Sequence, residues 1–184
     1  MATVEKNSPA TDTWSKVAPM PAAPKSHCAV SVRSDMYVID GHPACNSVLK
    51  FDSNGIRSEG APMPDALYSR ATCALGTHIY VFGWLGDDHE AAATTYRYDT
   101  EVDEWATLEP MPEPRIGHAS VVLGGLIYIL EGRQHHIDLR SVVRSDPVSG
   151  PWSRVANMST VRAIIRRPLP WAGTSTPRGV TSEP

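Results

Sequence analysis

The stretch DTEVDEWATLEPMPEPRIGHASVVLGGLIYILEG, residues 99–132, decides the fold. Its second half is two apolar runs, HASVVL and LIYIL, joined by Gly124-Gly125. Two β-rich runs around a dipeptide that tolerates positive φ read as a hairpin. Its first half holds an acid, a polar turn, the run WATLE and a Pro-Met-Pro segment. That order reads as a further strand running into a tight turn.

The same layout recurs outward from this segment. Measured between the methionines of the Pro-Met-Pro-like turns, Met20, Met63, Met111 and Met158, the spacings are 43, 48 and 47 residues. Tyr37, Tyr80 and Tyr128 each follow a methionine by 17 residues, and Trp14, Trp105 and Trp152 each precede one by 6. Arg57 takes the tryptophan's place in the remaining unit, and His27, Arg70 and His118 share an offset of 7. Several fixed offsets holding together over one period mark a repeat architecture.

Each unit repeats the hairpin, with CAVSV–RSD–MYVID at 28–40 and TCAL–GT–HIYVF at 72–82. A third run ends in an acid: SVLKFD (47–52), TTYRYD (94–99) and SVVRSD (141–146). WSKVA, WATLE or WSRVA supplies a fourth. No stretch sustains the i, i+3, i+4 apolar spacing of a helix. The expected fold is therefore all-β, with four short antiparallel strands per unit, as in a propeller blade. The expected organisation is a disordered N-terminus (1–7) and a lone outer strand (12–18), then blades at about 25–60, 68–109 and 115–156. The start of a fourth repeat (158–165) and a Pro-rich, irregular, disordered tail (166–184) complete it.

Composition agrees. Hydrophobic residues make up 41% and charged residues 20%, enough apolar material for a core. Gly 13 and Pro 16 are rich in turn formers and poor for helix interiors. A net charge of −3 has the wrong sign for tracking phosphates, so no nucleic acid partner is expected. Val121–Leu130 is the most apolar run, broken by two glycines and about half of what a spanning helix needs. The N-terminus has no apolar signal segment, and Cys28, Cys45 and Cys73 form no CxxC pair. No membrane partner and a cytoplasmic location are the expectations.

These motifs resemble the kelch repeat, over about residues 8–161. Asp40-Gly41, Gly83-Trp84 and Glu131-Gly132 each keep one glycine where the family carries two. The resemblance implies a kelch-type β-propeller of about three blades, an incomplete ring, since closed propellers use about 4–8. It further implies a truncated product of a longer protein, whose open blade edges invite self-association. Trp14, Met20, Tyr37, Gly41, Met63, Tyr80, Gly83, Trp105, Met111, Tyr128, Gly132 and Trp152 are then scaffold, with the tryptophans buried against a neighbouring blade.

The style of the units is most similar to the BTB–kelch group, in which the propeller selects substrates for a cullin-RING ubiquitin ligase. The implied function is part of such a substrate-recognition module without the BTB and BACK domains. Its partner would be another protein or a short peptide. The family's partner-facing rim maps to Lys25 and His27, Tyr68 and Arg70, and Arg115 and His118. The competing reading of Arg115 and His118 is that they hydrogen-bond neighbouring blades.

Enzymatic readings find little support. A galactose-oxidase-like copper site would need tyrosines and histidines converging at the channel. The histidines are 27, 42, 78, 89, 118, 135 and 136, and two of these follow the repeat. His42 and Cys45 lack a second pair at ligand spacing, and Asp87-Asp88-His89-Glu90 lacks the pattern of a calcium loop. GxSxG, GxxxxGK[ST] and HExxH do not occur. The basic Arg162, Arg166 and Arg167 lie beside the Pro-rich tail and read as solvated. No catalysis, cofactor or metal is expected. Scaffolding in the cytoskeleton or in trafficking is the alternative binding role.

Overall fold

The computed structural model describes residues 2–21, 27–39, 46–66, 70–85, 90–135, 137–147 and 150–160. No helix occurs among them. Strands β1 (Ala2–Ser8) and β2 (Thr13–Met20) form a two-stranded antiparallel ribbon. Blade 1 contains β3 (Cys28–Val32), β4 (Asp35–Ile39), β5 (Val48–Phe51) and β6 (Arg57–Gly60). Blade 2 contains β7 (Ala71–Leu75), β8 (His78–Leu85), β9 (Ala91–Asp99) and β10 (Glu104–Leu108). Blade 3 begins with β11 (Ala119–Leu123) and β12 (Leu126–Leu130). A small hairpin of β13 (Arg133–Gln134) and β14 (Ile137–Asp138) follows, and β15 (Val142–Ser145) and β16 (Ser153–Val155) complete the sheet. Each blade is a four-stranded antiparallel meander, and the series does not close into a ring.

Local chemistry sets the hairpins. Gly124 and Gly125 take φ of 59° and 78°, the left-handed pair of a type I′ turn, and Leu123 pairs with Leu126 across them. Alternation then sends successive residues to opposite faces of each blade. Tyr37, Ile39 and Val48 of blade 1 pack on Ile79, Val81, Tyr96 and Tyr98 of blade 2. Cys73, Tyr80 and Phe82 of blade 2 pack on Ile127, Ile129 and Val143 of blade 3. The core therefore lies between the blades, and their innermost strands β3, β7 and β11 stand side by side.

The motif residues fasten these junctions. Trp105 donates its indole N–H to the Ala61 carbonyl at 2.9 Å, and Trp152 donates to the Glu109 carbonyl at 3.0 Å. Each accepting residue lies just beyond the outer strand of the preceding blade. Arg57, which replaces the tryptophan in blade 1, donates to the Pro19 carbonyl in the same manner. The methionine N–H groups of Met63, Met111 and Met158 bond the carbonyls of Asn46, Ala93 and Arg140, tying each turn to its own blade just before the third strand or, at Ala93, in its first residues. Met63 and Met111 are buried in the junctions.

Three expectations are corrected. Residues 1–7 were expected to be disordered, but residues 2–7 belong to β1, so the outer strand read at 12–18 has a partner. Asn7 pairs with Trp14 as Tyr98 pairs with Trp105, which places β1 as a third strand. Asn7-Ser8 stand where blades 1 and 2 carry an aromatic and an acid and blade 3 carries Ser145-Asp146, and the missing acid masks the strand. Trp14 was expected to be buried, but it is 68% exposed, because the surface its counterparts use belongs to a preceding blade. Gly41 and residues 166–184 lie outside the described residues.

Candidate functional site

One rim of the molecule is built from two kinds of segment. The lead-in to each innermost strand meets the connection between the second and third strands. In blade 3, Ile116 and Arg133 exchange backbone hydrogen bonds of 3.0 and 2.9 Å across this seam. In blade 2, the Arg70 side chain reaches back to the Ile39 carbonyl at the end of β4, at 2.7 Å. Of the residues expected to contact a partner, the described ones, His27, Arg70, Arg115 and His118, belong to these lead-ins.

Three of those six are buried, which corrects the expectation that they face a partner. The Arg115 side chain has no exposed surface. Its guanidinium donates to the carbonyls of Glu131 and Ser141 at 3.0 and 3.2 Å and to the Ser141 hydroxyl at 3.0 Å. Its charge pairs with Glu113 at 3.0 Å, which also accepts from Ser141. Burial holds this guanidinium below the usual arginine range, and Glu113 opposes that shift. A buried cation tied at four points is a structural clamp.

His118 is buried and held neutral. Desolvation, followed by the Arg115 charge, pushes its imidazole down to about 3, with the backbone of Phe82 and Arg115 opposing. Neither ring nitrogen makes a hydrogen bond of good geometry among the described residues. A Cβ at Gly83 would lie 2.6 Å from the Arg115 carbonyl and 2.9 Å from the His118 ring, and its φ is +47°. Only glycine lets blade 2 approach the lead-in of blade 3 this closely. Arg70 is likewise buried, whereas His27 at the same repeat position is exposed. Lys25 and Tyr68 lie outside the described residues.

What stands out from the rim are two ribbons that sequence reading did not separate from loops. In blade 2, β8 and β9 continue past a bulge between Phe82 and Trp84 to pair Leu85 with Ala91. In blade 3 the β13–β14 hairpin is held by Arg133–Asp138 at 2.8 Å. The two approach through His135 and Glu90, 3.4 Å apart and both well exposed. Ile137 sits on the hairpin with 67% of its surface exposed. The one sequence signal was the opposite charge of Arg133 and Asp138 flanking a short polar run.

The described residues hold no group of three or more His, Cys, Asp or Glu side chains able to bind a metal. His42, Cys45, His89 and His136 lie outside them. Tyr96 and Tyr98 hydrogen-bond Asp65 and Asp103, and burial first, then those carboxylates, raise both phenols. They remain protonated donors in the junction.

Comparison with known proteins adds the ancestry of this architecture. A family model for the Kelch motif matches residues 66–112. The human Kelch-like protein 23 is 35% identical over 142 residues, covering 72% of this chain and 25% of its own length. This is a kelch-repeat chain. A human Kelch repeat and BTB domain-containing protein 12 is 26% identical over 183 residues, covering 83% of this chain and 29% of its own length. The kelch chain thus spans about a quarter of the length of the curated relatives it matches. The solved structure of YjhT has the same fold, with a TM-score of 0.70 at 14% identity, covering 78% of the kelch chain and 54% of YjhT.

Proposed function

We propose that this kelch chain is a protein-interaction module, part of the substrate-recognition propeller of a kelch-like adaptor for a cullin-RING ubiquitin ligase. Its similarity to Kelch-like proteins supports the class. The observation that carries the site is the pair of rim ribbons that meet at Glu90 and His135 and present Ile137. An exposed aliphatic side chain beside mixed charges suits a short peptide with one apolar anchor and polar flanks. The buried Arg115 holds the Glu131 and Ser141 carbonyls on either side of the β13–β14 hairpin and so supports it from behind. On this reading the chain works in the cytoplasm and binds without catalysing.

Quantitative co-precipitation with Ile137→Asp tests this reading. Partners retained by the wild-type chain and lost by the variant are the expected outcome, with the circular dichroism spectrum unchanged. Equal recovery by both removes the ribbons from the site. Raising the level of the chain in cells should also alter ubiquitin modification of the retained partners. Unaltered modification would favour a cytoskeletal or trafficking scaffold.

A further inference from the structure

Surfaces at the two ends of the described chain match the two halves of a contact found inside it. Trp152 of blade 3 stands against Tyr80, Phe82, Thr95, Leu108 and Glu109 of blade 2, beside a cavity of about 120 Å³. Its ring meets Phe82 edge to face at 5.9 Å, and its N–H reaches the Glu109 carbonyl at 3.0 Å. Trp105 makes the same bond to Ala61 of blade 1.

The repeat frame carries this socket onto blade 3. Phe82, Thr95 and Leu108 pair in register across three strands, as Leu130, Val142 and Val155 do. Tyr128 and Ala156 stand at the offsets of Tyr80 and Glu109. The matching knob is Trp14, which is 68% exposed. Its strand pairing, Asn7 with Trp14, repeats that of Tyr98 with Trp105.

We propose that a second copy of this chain docks head to tail, seating Trp14 of one copy in the blade 3 socket of the other. The indole N–H then donates to the Ala156 carbonyl, continuing the interface that joins blades 1, 2 and 3. Knob and socket are different surfaces, so the contact is heterologous and closes as a ring or extends as a chain. The β1–β2 ribbon supplies only third and fourth strands and reaches only the outer half of blade 3. Val121 and Leu123, exposed on the innermost strand, lie outside it.

Size-exclusion chromatography with light scattering over a concentration series of the full chain tests the docking. The wild-type chain associates as concentration rises. Trp14→Ala weakens this by about thirty-fold or more, the loss typical of a tryptophan anchor, with an unchanged circular dichroism spectrum. Leu130→Lys does the same, and Ala156→Arg, at an exposed residue, serves if Leu130→Lys fails to fold. Mixing a knob variant with a socket variant restores a dimer through one intact junction, and Leu123→Ser leaves association unchanged.

A wild-type chain that stays monomeric throughout overturns the proposal. Shielded Trp14 fluorescence in that monomer would give the socket role to the chain's own residues. Association that survives Trp14→Ala, or a mixture that stays monomeric, overturns it too. Loss of association in Leu123→Ser would point to blade 3 packing on blade 3.

Discussion

Trp105 and Trp14 hold the same place in the repeat, six residues before a methionine, and meet opposite surroundings. Trp105 lies 4.9 Å from the Tyr98 ring and bonds the preceding blade, whereas Trp14 is 68% exposed. The innermost strands repeat the contrast. Val32 of blade 1 is 4% exposed, and its counterpart Leu123 of blade 3 is 68% exposed. Burial in this architecture belongs to the junction, not to the residue, because each blade buries its faces only against neighbours. Interior motif residues should therefore carry stability that the same residues at the ends do not.

The largest test of that contrast is Arg115→Met. The change takes from Glu113 its buried cation, leaving it only the exposed Arg154 and the Ser141 hydroxyl, and strips hydrogen bonds from the Glu131 and Ser141 carbonyls in a buried seam. Breaking one half of a buried, hydrogen-bonded pair costs about 3–5 kcal/mol. Urea unfolding should show that loss, and a change below about 1 kcal/mol would mean that the seam admits water. Next comes Trp105→Ala, which removes both an aromatic wedge and the donor to Ala61. A destabilisation of about 3 kcal/mol is expected in the same assay.

Much of the fold was legible because the repeat is written in residues with a strong local meaning. Gly124-Gly125 between apolar runs, the methionine turns and the tryptophan offsets each mark one element. Arg57 was visible only as an exception, and its bond to the Pro19 carbonyl shows that a long donor can replace an indole. β1 escaped because Asn7-Ser8 lack the acid that closes every other third strand and the aromatic that precedes it in blades 1 and 2. β13 and β14 escaped because two-residue strands leave no alternation to read. The site was half legible. The resemblance to kelch repeats implied that Arg70, Arg115 and His118 lie near the rim, but it does not tell whether a side chain turns outward or back onto a backbone carbonyl. That direction is set by contacts between distant segments, such as Gly83 against the Arg115 carbonyl.

His118 extends the comparison to pH. Its native imidazole titrates near 3 against an ordinary 6.5, so below 6.5 the unfolded chain binds the proton that the folded chain refuses. Stability is full above 6.5 and falls as the pH drops toward 3, by about 1.4 kcal/mol per unit on the slope. At pH 5 that is about 2 kcal/mol. His118→Leu should flatten this limb in unfolding curves taken from pH 7 to 4. A limb that keeps its slope would show that another group sets the acid response.

The smallest effect decides the comparison most directly. Trp14→Ala deletes the same side chain as Trp105→Ala, from the same offset on a strand paired in the same register. At dilutions where the chain is monomeric it should change stability by less than about 0.5 kcal/mol, the usual bound for an exposed site. A loss as large as that of Trp105→Ala would mean that Trp14 is already seated and that burial follows the residue after all. A null result at dilution, with a loss that grows as the protein is concentrated, would separate the two tryptophans by their neighbours alone. Both side chains then have the same capacity, and only the presence of a facing blade turns it into stability.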